Sequence, residues 1–186
     1  MPRGLERKLD YSDLLATPND GKRYELIRGQ LFVNPSPTTV HQRVLRKLSR
    51  RLEDYFHAHT PGEVFFAPVD VILTPHDVFV PDLVVVHDPS HISKRGIERA
   101  PLLVAEVLSP STRRVDRGLK RERYAELGVP HYWIVDCDRQ RIECLRLAGA
   151  AYVTALVVEG DARFEHPDFP ALAFELAALW RQSPDS

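Results

Sequence analysis

Two short runs, Leu83-Val84-Val85-Val86 and Leu102-Leu103-Val104-Ala105, constrain the fold more than any other part of this chain. Each is too short and too rich in β-branched residues to make a good helix. Each reads instead as a strand buried on both faces, inside a sheet that is covered above and below. Two acids stand against these runs: Asp82 immediately before the first and Glu106 immediately after the second. A carboxylate there costs free energy unless something pairs it, and a metal cation is the usual partner. Simple exposure at a strand end accounts for either acid alone. Two of them, followed by a helix that carries a lysine, point to a site.

Length and composition leave room for that sheet and exclude several alternatives. A chain of 186 residues is expected to form one domain over residues 1–186, with its core at about 10–158. The longest apolar runs, about five or six residues, fall far short of the ~20 needed to span a bilayer. The N-terminal Met1-Pro2-Arg3-Gly4-Leu5-Glu6-Arg7-Lys8 has basic residues without an apolar stretch behind them, so it does not read as a signal peptide. Cys137 and Cys144 are too few for a disulfide framework and lack zinc-site spacing, which suits buried thiols in a reducing cytoplasm. A net charge of −1 carries no global signature of nucleic-acid binding, so any such contact must come from a local patch.

Taken in order, the residues predict a short helix capped by Asp10 or Ser12 and a hairpin over 24–33 that turns at Arg28-Gly29. A long helix follows over 39–59, its apolar stripe formed by Val44, Leu48, Leu52 and Tyr55. The other side of that helix carries Arg43, Arg46, Lys47, Arg50 and Arg51, a stripe that could neutralise phosphates or could simply be solvated. Residues 63–73 read as one strand with Asp70 embedded, in a hairpin with a strand over 78–87. After the strand at 102–108 comes a helix that begins between Thr112 and Asp116 and stops at Gly128. The strand at 131–136 then completes a βαβ crossover. A hairpin around Ala148-Gly149-Ala150 and a tail helix over 172–180 close the chain. The fold class is α/β with a mixed sheet. The histidines other than His41 show no ligand spacing and are expected at the surface.

If Asp82 and Glu106 lie on neighbouring strands, their side chains can converge on one hard cation, with the Val107 backbone carbonyl as a further ligand. Asp116, Lys120, Tyr124 and Leu127 share a helical face, so Lys120 can be directed at the same place. A lysine there can orient a water or stabilise developing phosphorane charge. The simpler account of Lys120 is a surface ion pair with Asp116.

A longer series of residues carries a resemblance: Arg23-Tyr24-Glu25-Leu26-Ile27-Arg28-Gly29, Pro35-Ser36-Pro37, His41, Val80-Pro81-Asp82-Leu83, the stretch from Val104 to Thr112, Lys120, Tyr124-Ala125, and the stretch from Gly128 to Asp136. It is similar to the Uma-two family, a prokaryotic branch of the PD-(D/E)XK restriction-endonuclease-like superfamily, over roughly residues 10–158. The resemblance implies a restriction-endonuclease-like mixed central sheet flanked by helices, with added N- and C-terminal hairpins. It also implies Mg2+- or Mn2+-dependent cleavage of DNA phosphodiesters. Asp82 and Glu106 become metal ligands. The superfamily lysine stands two residues after the acid, where this chain has Leu108, and Lys120 on the following helix is the matching position for this branch. Glu25 is cast as an added acid of the site, or else as one partner in a strand–helix ion pair. His41, Arg43, Lys47 and Arg50 become the candidate nucleic-acid contacts. For His41, which could hold a phosphate at the helix N-terminus, a capping or packing role is the simpler account. A homodimer follows by resemblance alone, since two strands need two sites. Two other expectations stand beside the endonuclease: a module of the same fold that binds nucleic acid without cleaving it, and a hydrolase of small phosphoesters. No base-reading helix or aromatic platform is evident.

Overall fold

Arg28 and Gly29 both take positive φ, 54° and 76°, which the two-residue turn of a tightly twisted hairpin requires. They join β1 (Arg23–Ile27) to β2 (Gln30–Asn34) at the predicted place. The structure is a computed structural model and describes residues 7–59 and 61–181; residues 1–6, within the stretch read above as carrying no signal peptide, lie outside it. Before the hairpin stands α1 (Tyr11–Leu15), where Asp10 accepts from the Ser12 and Asp13 N–H groups. After it comes the basic helix α2 (Thr39–Ala58), which buries Val44, Leu48, Leu52 and Tyr55 as its periodicity predicts. Next are β3 (Glu63–Phe66), β4 (Val71–Thr74), β5 (Asp77–Phe79), β6 (Leu83–Val86) and two short strands, β7 (Ile92–Ser93) and β8 (Gly96–Ile97). The crossover runs from β9 (Leu103–Val107) through α3 (Arg113–Val115), a π-helical turn at Asp116–Lys120 and α4 (Arg121–Glu126) to β10 (His131–Asp136). The chain finishes with β11 (Arg141–Ala148), β12 (Ala151–Glu159), β13 (Arg163–Glu165), β14 (Ala173–Glu175) and α5 (Ala177–Trp180).

β1 to β12 form two six-stranded sheets, one ordered β12-β11-β10-β9-β6-β3 and the other β2-β1-β5-β4-β8-β7, and β13 pairs with β14 alone. In the first, β9 and β10 are parallel and β6 runs antiparallel beside β9, with every residue of all three strands buried. One face of this sheet packs on α2 and the C-terminal segment through Leu83, Leu103, Trp133 and Phe164. The other face packs on the second sheet and on α4 through Val84, Val104, Ile134, Phe79 and Tyr124. α1 covers the far side of the second sheet through Leu14, Leu26, Ile72 and Val78. The Val-rich runs therefore lie where both faces meet apolar neighbours, as their composition demands.

Three expectations need correction. Residues 63–73 are two strands in different sheets, not one, and the break falls at Ala67-Pro68. Pro68 has no N–H for a ladder, and Asp70 beyond it is half-buried and takes a bond from the Tyr11 hydroxyl instead of lying in a strand. Similarly, 78–87 is divided between β5 and β6 at Val80-Pro81-Asp82, where the chain passes from one sheet to the other. The tail helix over 172–180 begins as β14, pairing Phe174 with Phe164, and only Ala177–Trp180 is helical. Two aromatic residues facing the same core proved a stronger signal than helix propensity.

A partly buried ion pair fastens α4 to the second sheet. Arg123 donates from Nε and Nη2 to Asp77 at 2.8 and 2.7 Å, and Asp77 also accepts from the Arg28 N–H and the Thr74 hydroxyl. Burial alone would raise the Asp77 carboxyl; these donors outweigh it and hold the group below its usual range. Asp77 therefore contributes stability that is present above its unfolded pKa and is lost as pH falls through the folded one. Arg123→Ala should cost about 2–4 kcal/mol in urea unfolding at pH 7. That penalty should shrink at pH 3; an equal penalty at both would show that the guanidinium acts by packing alone.

Candidate active site

The two acids of the PD and EVL motifs sit where the chain changes sheets. Pro81 carries no N–H, so the strand ladder lapses at Val80-Pro81-Asp82 and side chains take its place. Val80 N–H donates to Glu25 Oε1 at 2.7 Å, Asp82 N–H approaches Glu106 Oε2 at 3.4 Å, and Val107 N–H donates to Asp82 Oδ2 at 2.9 Å. Antiparallel pairing of Leu83 with Ala105 brings the two acids side by side. Each acid is thus held by the backbone of the neighbouring segment, which offsets the cost of its burial.

Lys120 comes from the π-helical turn of the crossover. Its ammonium lies 2.9 Å from both Glu25 Oε1 and Glu106 Oε1 and 3.6 Å from Asp116 Oδ1. Asp116 and Lys120 do not form the simpler alternative, a surface pair, since each residue is 2% exposed. Such single-turn π segments recur at functional sites, where an extra residue re-aims a side chain. Glu25 is at once an acid of the cluster and a strand–helix ion-pair partner; Asn34 donates to its other oxygen at 2.6 Å. Tyr124 reaches Glu106 Oε1 at 3.5 Å, and the Tyr132 hydroxyl donates to the Asp116 carbonyl at 3.0 Å.

His41 and Arg23 flank the outer acid. His41 Nε2 lies 3.0 Å from Asp82 Oδ2, and Arg23 Nη1 lies 3.2 Å from Asp82 Oδ1. His41 does not cap α2 with its side chain, since Thr38 Oγ1 accepts the bond from His41 N–H. Burial pushes Asp82 up, but His41, the Val107 N–H and Arg23 outweigh it and hold the carboxyl below its usual range. Glu106 goes the other way: burial raises it well above the usual carboxylate range, Asp116, Asp82 and Glu25 add to that, and Lys120 opposes. Burial likewise works against the Lys120 charge, yet Glu106, Glu25 and Asp116 raise it well above an ordinary lysine. Arg23, His41, Asp82, Glu106, Asp116 and Lys120 line a cleft of about 400 Å3 with Val107, Leu108 and the Ser109–Thr112 turn, and Glu25 lies fully buried behind Lys120.

Asp82, Glu106, Lys120, Glu25, His41 and Val107 are therefore brought together, whereas the basic stripe of α2 is not part of the cleft. Lys47 donates to the carbonyls of Ala178 and Arg181, Arg43 is half-buried and Arg50 is exposed. Asp116 and Arg23 were not singled out as site residues. Their signals were available: Asp116 stands one helical turn before Lys120, and Arg23 stands two residues before Glu25, on the same strand face. Cys137 and Cys144 are both free thiols. Two histidines expected at the surface, His131 and His166, are buried. No helix among the described residues is long and apolar enough to cross a membrane.

A crystal structure described as "a putative nuclease belonging to DUF820" from Anabaena variabilis superposes with a TM-score of 0.75 at 20% identity, covering 92% of this chain and 97% of that one. At that identity the likeness establishes the fold. No curated protein matches the sequence. A family model, Uma2, described as "Putative restriction endonuclease", matches residues 10–178. With its α/β nuclease-like fold and a match over nearly its whole length, this chain belongs to the Uma2 family.

Proposed function

We propose that this protein is a divalent-metal-dependent endonuclease that hydrolyses DNA phosphodiester bonds. The observation that carries the reading is the imbalance of the cluster: Asp82, Glu106 and Asp116 in the cleft, with Glu25 buried behind Lys120, stand against Lys120 and Arg23. Lys120 draws on Glu25 and Glu106 through one oxygen each, and Glu106 Oε2 has only the long contact to the Asp82 N–H. An all-oxygen set of this kind suits Mg2+ or Mn2+, with Asp82 and Glu106 as its carboxylate ligands and the Val107 carbonyl as a further donor. When bound, the ion would supply Lewis-acid stabilisation of the scissile phosphate and a more acidic water.

The chain's own groups do the rest. Lys120, held by Glu25 and Glu106, directs a positive charge at the position where a phosphorane would form. His41 and Arg23 keep Asp82 ionised and oriented. His41 at the mouth of α2, with Arg43 and Arg50 farther along, forms the candidate path for the DNA backbone. Two strands call for two such sites, so a homodimer is the proposed working form.

The test is incubation of purified protein with linear, nicked, supercoiled and single-stranded DNA, with Mg2+, Mn2+ or chelator. Metal-dependent cleavage of at least one form is expected. Salt-sensitive DNA binding without cleavage in any metal would instead favour a binding module, and turnover of short phosphoesters alone would favour a small-molecule hydrolase.

A further inference from the structure

The sheet that carries Glu106 has a second group of chemically capable side chains on its opposite face. Glu106 pairs with Ile134 across the parallel β9–β10 ladder, and both face the second sheet. His131 and Trp133 alternate with Tyr132 and Ile134 and so face the other way, toward the C-terminal segment. There His131 meets His166 and Asp168, which follow β13 in the connection to β14. One potential ligand atom from each of the three lies within 4.8 Å of the others.

Three atoms of this cluster, His131 Nδ1, His166 Nε2 and Asp168 Oδ2, are buried without a hydrogen-bond partner. Both imidazoles are more than nine-tenths buried, at 8% and 5% exposure. His131 Nδ1 lies 4.0 Å from Asp168 Oδ2, too far for a hydrogen bond. Two ligands about 2.1 Å from one tetrahedral ion would stand about 3.4 Å apart, so side-chain shifts under about 1 Å close the set. The rest of the surroundings already holds the ligands. Arg146 Nη1 donates to Asp168 Oδ1 at 2.6 Å and leaves Oδ2 free, while His166 is stacked on Trp133 at 5.1 Å between ring centroids. Partners of this kind orient the ligands of bound metals.

We propose that His131, His166 and Asp168 form a second metal site, for a zinc-like first-row cation, that ties the turn between β13 and β14 to β10. Two imidazoles and one carboxylate are the donors such ions select, with water completing a tetrahedron, whereas Mg2+ favours the all-oxygen cleft on the other face. Binding through His166 Nε2 moves the ring proton to Nδ1. The bond that Nδ1 now accepts from Asp168 N–H, at 3.1 Å, is then exchanged for the metal ligand.

The test uses the full chain stripped of metal, in an Asp82→Asn background that disarms the other site. Zn2+ at about 100 times its Kd should raise Tm by about 5–10 °C. One equivalent of Co2+ should give the visible absorption of a tetrahedral site, and Mg2+ should give neither signal. His166→Phe, which suits the aromatic stack, and Asp168→Asn, which keeps the shape, should each abolish both signals. A folded background protein that takes up no Zn2+ or Co2+, or either variant keeping the full response, would overturn the site and leave a bridging water as the occupant of the cluster.

Discussion

Asp82→Asn is expected to lower DNA cleavage about 10³-fold or more while the protein stays folded. The substitution keeps the shape of the side chain and an oxygen for the Val107 N–H, so the sheet junction at Val80-Pro81-Asp82 has its main backbone contact preserved. It removes the charge that His41 and Arg23 now hold in place. A carboxylate ligand carries much of the affinity for a hard divalent ion, and the ion is worth several kcal/mol in the transition state. At 1.36 kcal/mol per decade, a loss of about 4 kcal/mol is a thousandfold in rate. Glu106→Gln should match it, and the double variant should be little worse than either single one, because both acids serve one ion. Cleavage by Asp82→Asn within tenfold of wild type, at saturating Mg2+ and Mn2+, would remove Asp82 from the metal set.

The second large effect is on stability. Lys120→Met keeps the aliphatic stem but leaves Glu25, Glu106 and Asp116 buried without their cation. Losing one partner of a buried ion pair costs about 3–5 kcal/mol, because the remaining charges must be desolvated or protonated. Urea unfolding at pH 7 measures it. Adding Glu25→Gln to Lys120→Met should return more than about 1 kcal/mol, since one orphaned charge is gone while the amide can still accept from the Val80 N–H. A Lys120→Met protein as stable as wild type would mean that the ammonium contributes nothing net. Cleavage should fall separately, by about 10²–10³-fold, the usual effect of deleting one donor aimed at developing charge. Activity retained in Lys120→Met but lost in Glu106→Gln would dismiss the helix lysine and spare the nuclease.

Local chemistry alone determined a good deal of this protein. The apolar runs around residues 84 and 104 read as strands covered on both faces, and both strands are buried throughout. Arg28-Gly29 and Gly149-Ala150 marked the hairpins, and the stripe from Val44 to Tyr55 marked the face that α2 buries. Asp82 and Glu106 were likewise legible, because each stands beside an apolar run that cannot solvate it, whereas Lys120 has only the helical face it shares with Asp116 and Tyr124 to mark it. Only the tertiary structure decided the remainder. Nothing local says that Pro68 and Pro81 send the chain from one sheet to another, because losing a backbone donor permits a break without saying where the next strand pairs. Asp116 became part of the cleft because the π-helical turn and the sheet enclosed it; as an isolated helix pair with Lys120 it would sit in water. His131, His166 and Asp168 were unreadable for a similar reason: they meet only when β13 and β14 fold back over β10, and burial in the aromatic layer there is what strips their polar atoms of water.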